Sequence, residues 1–244
     1  MLKNHISTAF LLVFITVCSV NVKAQNNKVG TWGIVTVTLP GDSTHRWGAY
    51  IELQTRTNTL FNQAFYYEVK GGISYDIAKN YTALIGTGRY ITYDYEDLDG
   101  PPTALETRLW EQMVVNQFLD RIKIEHRYRV EQRFFETGYR NRFRYRLNLA
   151  VPLNHRKIDA KTAYLAVFNE IFLNNKAPHF ERNRFYLGLG YQFDKSLSVQ
   201  AGWMNQYNYT IAKAGGKSNL AINVQYRFNR KNTKPKEYIP SMHD

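Results

Sequence analysis

Between positions 121 and 151 a charged side chain stands at almost every second residue. Arg121, Lys123, Glu125, Arg127, Arg129, Glu131 and Arg133 hold the odd positions, and after a break at Thr137-Gly138-Tyr139 the even positions carry Arg142, Arg144, Arg146 and Asn148. A dense arginine stripe of this kind can do two things. It can pair with carboxylates, or it can bind and pass small anions. The carboxylates available to it are few: Glu52, Glu68, Asp76, Glu106, Glu125, Glu131 and Glu170. Further cations with the same parity in their own segments are Arg46, Arg56, Lys70, Lys123, Arg182, Arg184 and Arg227. The candidate site is a charged ladder of Glu125, Arg127, Arg129, Glu131, Arg133, Arg142, Arg144, Arg146, Glu170 and Arg184.

Other chemistry has thinner support. A lipid hydrolase or acyltransferase needs a serine, a histidine and a carboxylate or amide within hydrogen-bond reach. His126 lies on an apolar face, but no serine occurs in 104–118 or 140–153. His45 with Asp42, Ser43 and Thr44 reads as a polar turn. Asp94, Glu96, Asp97 and Asp99 before Pro101-Pro102 form an acidic loop that could bind a divalent cation, without regular ligand spacing. There is no phosphate loop, zinc spacing or nucleotide fingerprint. No catalytic residue, metal or cofactor is assigned. A surface protein that binds through its outer loops remains a further alternative.

The elements that carry the stripe are extended strands, because strict period two gives two different faces. Opposite the charges stand Ile122, Ile124, Tyr128, Val130 and Phe134, then Phe143, Tyr145, Leu147 and Leu149. The same division recurs at 46–57, 64–77, 182–194 and 216–229. Strand candidates fill the chain from 31 onward: 31–39, 46–57, 64–77, 81–94, 104–118, 121–136, 140–153, 163–175, 182–194, 196–210 and 216–229. Most exceed the roughly 9–11 residues a tilted strand needs to cross a bilayer. Tight turns at Lys79-Asn80, Leu119-Asp120 and Asp194-Lys195 fall on one side, with longer links between them. The expected fold is all-β, an antiparallel up-and-down transmembrane β-barrel of about 10–12 strands, with charge inside and lipid outside. Two points resist the pattern. Segment 31–39 makes the strand number odd, so a partner is missing or the segment folds into the lumen or along the rim. Glu111 falls on the apolar face of its strand, which predicts a bulge or a shifted register.

The first 24 residues of this 244-residue chain read as a cleaved signal peptide: a weakly basic start, an apolar run from Ile6 to Val20, and Val22-Lys23-Ala24 before Gln25. The only cysteine, Cys18, lies inside it, so the mature chain has no thiol or disulfide. Residues 25–229 form one barrel domain, and 230–244 a flexible basic periplasmic tail. The net charge is +12, yet no nucleic-acid motif accompanies it. Aromatics make up 15% of residues, with 18 tyrosines and 14 phenylalanines, which fits interfacial girdles. Expected partners are outer-membrane lipid, lipopolysaccharide, the barrel-assembly machinery and small anions, with no nucleic acid. The expected location is the outer membrane of a Gram-negative bacterium.

Five segments in order carry a family resemblance: Thr31-Trp32-Gly33; Val130-Glu131-Gln132-Arg133-Phe134-Phe135-Glu136; Arg142-Phe143-Arg144-Tyr145-Arg146-Leu147; Asn169-Glu170-Ile171-Phe172-Leu173-Asn174; and Asn183-Arg184-Phe185-Tyr186-Leu187-Gly188-Leu189-Gly190-Tyr191. Their order and spacing resemble the exported outer-membrane barrel family known as domain of unknown function 2490. The resemblance covers almost the whole mature chain. It implies fold and location and brings no activity with it.

Overall fold

A computed structural model describes residues 28–231, 233, 237 and 239–242. The expected signal peptide lies outside the described residues. Eleven strands follow one another: β1 Gly30–Leu39, β2 Trp47–Thr59, β3 Asn62–Ala78, β4 Tyr81–Thr92, β5 Ala104–Leu119 and β6 Ile122–Phe135, then β7 Gly138–Pro152, β8 Thr162–Asn174, β9 Phe180–Gln192, β10 Leu197–Tyr209 and β11 Ala214–Arg227. Each consecutive pair is antiparallel, and β1 closes the barrel against β11. Closure leaves no exposed edge, so every strand finds a ladder on both sides.

The segment at 31–39 is therefore a wall strand and not a lumen or rim element. It is the eleventh member, and its pairing with β11 is parallel, from Gly30 opposite Asn219 to Thr38 opposite Arg227. Period-two reasoning misses this because an odd strand number is closed here by one parallel seam, the pairing that hairpin connections cannot make.

The expected irregularity at Glu111 is absent. β5 keeps one register against β6, with Glu111 opposite Val130 and Trp110 opposite Glu131. Glu111 points outward and accepts a hydrogen bond from Gln132 Nε2 at 2.9 Å, so the polar group is paired on the outer face without a bulge. Register shifts occur elsewhere, at Arg56/Thr57, Asp76/Ala78 and Phe172/Leu173.

Burial alternates through the middle of most strands. Glu52, Lys70, Arg127, Arg129, Glu131, Arg144 and Glu170 are buried, while Ile51, Val69, Ile73, Ile85, Leu187 and Leu189 are exposed. The barrel thus carries its charge inside and an apolar belt outside. Aromatic pairs mark both ends of that belt: Trp47 with Tyr75, Tyr191 with Phe193 and Tyr226 with Phe228 at one rim, Phe134 with Tyr139 and Tyr67 with Tyr93 at the other.

The interior is itself divided. On the side from β8 through β11 to β1, Trp32, Ile34, Tyr164, Ala166, Phe168, Tyr186, Met204 and Ala221 belong to a single apolar cluster. Ion pairs fill the remainder of the bore, and Glu170 of β8 and Arg184 of β9 join them from this same side. Small residues make room for large ones. Gly86 lies beneath Trp110, where a Cβ would come within 2.3 Å of the indole.

Candidate functional site

All ten residues of the expected ladder are buried inside the barrel, each no more than 8% exposed. Parity aims them inward, and pairing decides how they sit. Arg127, Arg129 and Arg133 on β6 stand directly opposite Arg146, Arg144 and Arg140 on β7. Like charges in directly opposed positions repel, so carboxylates must come between them.

Two do so at mid-height. Glu170 reaches Arg127 at 2.8 Å, Arg144 at 2.8 Å and Arg146 at 2.7 Å. Arg184 approaches it from β9 at 4.0 Å. Glu131 takes Arg142 at 2.5 Å, Arg144 at 2.6 Å and Arg129 at 3.5 Å. Both carboxylates are completely buried, at 0% exposure. Ions withdrawn from water to this degree persist only when their partners and hydrogen bonds are in place. A second knot sits on the other side of the bore, where Lys70 bridges Glu52 at 2.6 Å and Glu68 at 2.5 Å.

The guanidinium planes also lie against the aromatic wall. Arg146 sits over Phe168 at 4.0 Å, Arg144 over Phe172 at 4.5 Å and Arg56 over Trp32 at 3.8 Å. A cation over a ring face is attracted by the ring quadrupole, more strongly when both are desolvated. Charged and aromatic walls thus fill the bore between them.

Above and below this filled section lie two cavities. The one toward the β4–β5 and β10–β11 links, here the mouth, is about 560 Å³ and is lined by arginines from β6, β7 and β9. The other is about 200 Å³ and is bordered by Glu125, Arg127 and the C-terminal segment. The sequence of that segment reads as a flexible basic tail, but the described residues 239–242 pack into the bore. Ser241 Oγ donates to Glu125 at 2.6 Å, and the Met242 carbonyl accepts from Arg127 at 3.0 Å and Arg146 at 2.6 Å. Asn148 donates to the Pro240 carbonyl at 2.9 Å, and Glu237 pairs with Lys123 at 2.7 Å. The tail's basic composition hid the short run Ile239-Pro240-Ser241-Met242 that makes these contacts.

Two further members of the cluster are Glu181 and Arg140. Glu181 falls out of phase with Arg182 and Arg184, yet it meets Arg142 at 3.1 Å and Arg133 at 3.4 Å. The register shift between β8 and β9 at Phe172/Leu173 accompanies this turn of the side chain into the mouth. Arg140 keeps the phase of Arg142, Arg144 and Arg146 and stands opposite Arg133, so the stripe's own parity is the signal that finds it.

The alternative chemistries are not assembled. His126 sits on the outer face, with Nδ1 2.9 Å from the Tyr145 hydroxyl. The Asp42 turn is held by the backbone N–H groups of Thr44 and His45, both at 2.8 Å, and by Arg230 at 3.1 Å. Among the described residues no group of three or more acidic, histidine or cysteine side chains could hold a metal ion.

The family model described as "Protein of unknown function (DUF2490)" matches residues 29–219. The chain belongs to this family. The matched span runs from the start of β1 to Asn219 in β11, so it takes in the charged wall but ends at the first pair of the parallel seam. No curated protein and no solved structure matches the chain. The family description carries no activity, so the functional argument rests on the interior.

Proposed function

We propose that this protein is an outer-membrane barrel whose bore is sealed at mid-height by ion pairs, a structural wall with a solvent-filled mouth instead of a through-channel. The observation that carries this reading is the complete burial of Glu131 and Glu170 among Arg127, Arg142, Arg144 and Arg146. Small barrels fill their interiors with side chains, whereas open channels belong to barrels of about 16–18 strands. The apolar belt between two aromatic rims supports a lipid setting, as do strands of 10 to 17 residues. In this reading the chain is exported by cleavage after Ala24, inserted by the barrel-assembly machinery, and surrounded by outer-membrane lipid and lipopolysaccharide.

A narrow anion-preferring pore is the second reading, favoured by the surplus of arginine over carboxylate along the bore. The two differ in one measurement. The chain from Gln25, reconstituted in planar bilayers, should give background conductance with salts of small and large anions. Stepwise currents that favour small anions would replace the sealed barrel with the pore. Failure to insert into lipid, with folding in buffer alone, would overturn the membrane setting.

A further inference from the structure

The three opposed arginine pairs of β6 and β7 are not treated alike. Between Arg127 and Arg146 lies Glu170, and between Arg129 and Arg144 lies Glu131. The third pair, Arg133 and Arg140, stands at the mouth. Arg133 is held by Glu106, at 3.0 Å from Nη2, and by Glu181. Arg140 has no carboxylate within ion-pair distance among the described residues. Its guanidinium lies over the Phe135 ring at 4.8 Å, and its buried Nε has no hydrogen-bond acceptor. An arginine–carboxylate–arginine arrangement is completed twice and left open once, at the end that faces solution.

The surroundings favour an anion at that position. The mouth is lined by nine cationic side chains and the carboxylate of Glu106. A second carboxylate, Glu181, reaches Arg133, Arg142 and Arg182 there, so cations remain in clear excess. Arg142 and Arg182 line the mouth with Arg140, and Lys213 of the β10–β11 link and Lys217 of β11 line the same rim. Gln206 and Asn208 add neutral amides, already engaged with Arg184 at 2.9 Å and Arg182 at 2.6 Å. These bonds brace the arginines. The volume, about 560 Å³, is that of a small-molecule site. Planar guanidinium forks suit phosphate oxygens in paired contacts.

We propose that the mouth binds a small polyanion carrying phosphate groups, one of which sits beside Arg140 and completes the third pair. The proposal rests on the sealed-barrel reading in one respect: the ligand stops at the ladder instead of passing it. The same chemistry could come from a free phosphate ester or from the phosphate of a lipid headgroup.

The test is calorimetric titration of inorganic pyrophosphate into the mature barrel in phosphatidylcholine nanodiscs. Saturable binding to the parent is expected, weakened about tenfold by Arg140→Gln, weakened by Lys213→Gln, and unchanged by Lys195→Gln at the opposite rim. If Arg140→Gln does not fold, Lys213→Gln against Lys195→Gln carries the comparison. Binding that persists in discs containing phosphatidylglycerol assigns the site to soluble phosphate esters. Binding lost only in those discs assigns it to headgroup phosphate, and either result upholds the phosphate site. Absence of binding in both discs, or equal weakening by Lys195→Gln, overturns it. Conductance of the same sample separates the two readings. Currents with intact pyrophosphate binding sink the sealed bore alone, and silence without binding sinks the phosphate site alone.

Discussion

Arg129 and Arg144 face each other across the β6–β7 ladder, and one oxygen of Glu131 lies 3.5 Å from the first and 2.6 Å from the second. Without that carboxylate two buried like charges would stand in direct opposition. Glu131→Gln keeps the shape and removes the charge. It should destabilise the barrel by about 3–5 kcal/mol, the cost of breaking a buried ion pair. Asp97→Asn, in the exposed β4–β5 link, should stay within about 0.5 kcal/mol. Urea unfolding of both variants in lipid provides the comparison, and equal midpoints would mean that the ladder is solvated.

Leu187 tests the outer face. It is 44% exposed on the belt, while Gln192 on the same strand is buried in the bore. Leu187→Arg should cost roughly 2–4 kcal/mol if it lies near mid-membrane. Gln192→Lys should cost less, since Gln192 Nε2 donates to the Asp194 and Leu197 carbonyls and an ammonium can donate to the same groups. A harmless Leu187→Arg, measured as the folding equilibrium in vesicles, would count against lipid contact.

How far the sequence alone reached can be judged residue by residue. Parity points Glu170 and Arg144 inward, and they meet in the bore because β7 and β8 pair in one unbroken register. Parity fails where local geometry breaks period two. Glu181 turns inward beside a register shift, whereas Arg140 keeps the phase of Arg142 and Arg144 and is within reach of parity. Parity also cannot foresee that β1 pairs with a strand some 190 residues later in sequence, or that Ser241 and Met242 return to the bore. Those contacts depend on closure of the whole barrel, which no local window contains. Glu111 shows the converse, since a charge out of phase was met by a partner, Gln132, and not by a change of backbone.

Gly86 offers a packing test. The indole of Trp110 covers it so closely that any Cβ would clash. Trp110 is fully buried with Tyr50 and Leu84, so it has little room to retreat. Gly86→Ala should destabilise by about 1–3 kcal/mol. A shifted Trp110 fluorescence spectrum in the folded state should accompany it, and an unchanged spectrum and midpoint would mean that the indole yields freely.

The C-terminal segment separates two sources of sealing. Truncation after Lys231 removes the Met242 carbonyl from Arg127 and Arg146. Loss of these charged hydrogen bonds should lower stability by about 2–4 kcal/mol. The bilayer should nevertheless stay silent, because Glu131 and Glu170 remain. Currents from the truncated chain would instead assign the seal to the tail.

Asp194 gives the pH dependence. Its carboxylate accepts from the backbone N–H groups of Leu197 at 2.9 Å and Ser196 at 2.6 Å, and these hold its pKa below the usual aspartate value. A depressed carboxylate stabilises fully above its unfolded pKa, near 3.9, and the contribution fades as pH falls through the folded value. The gap in melting temperature between the parent and Asp194→Ala should be constant above about pH 5. It should narrow on acidification below pH ~4. A gap that widens toward acid would contradict the turn geometry.

The parallel seam has a topological consequence. In a barrel of even strand number both ends of the wall emerge at the same rim. Here β1 and β11 run the same way, so Gly30 enters at the mouth and Arg227 leaves at the opposite rim. Epitopes appended to the two ends of this wall would report from opposite sides of the sheet of lipid it is proposed to cross. One molecule could then serve as its own inside-and-outside marker.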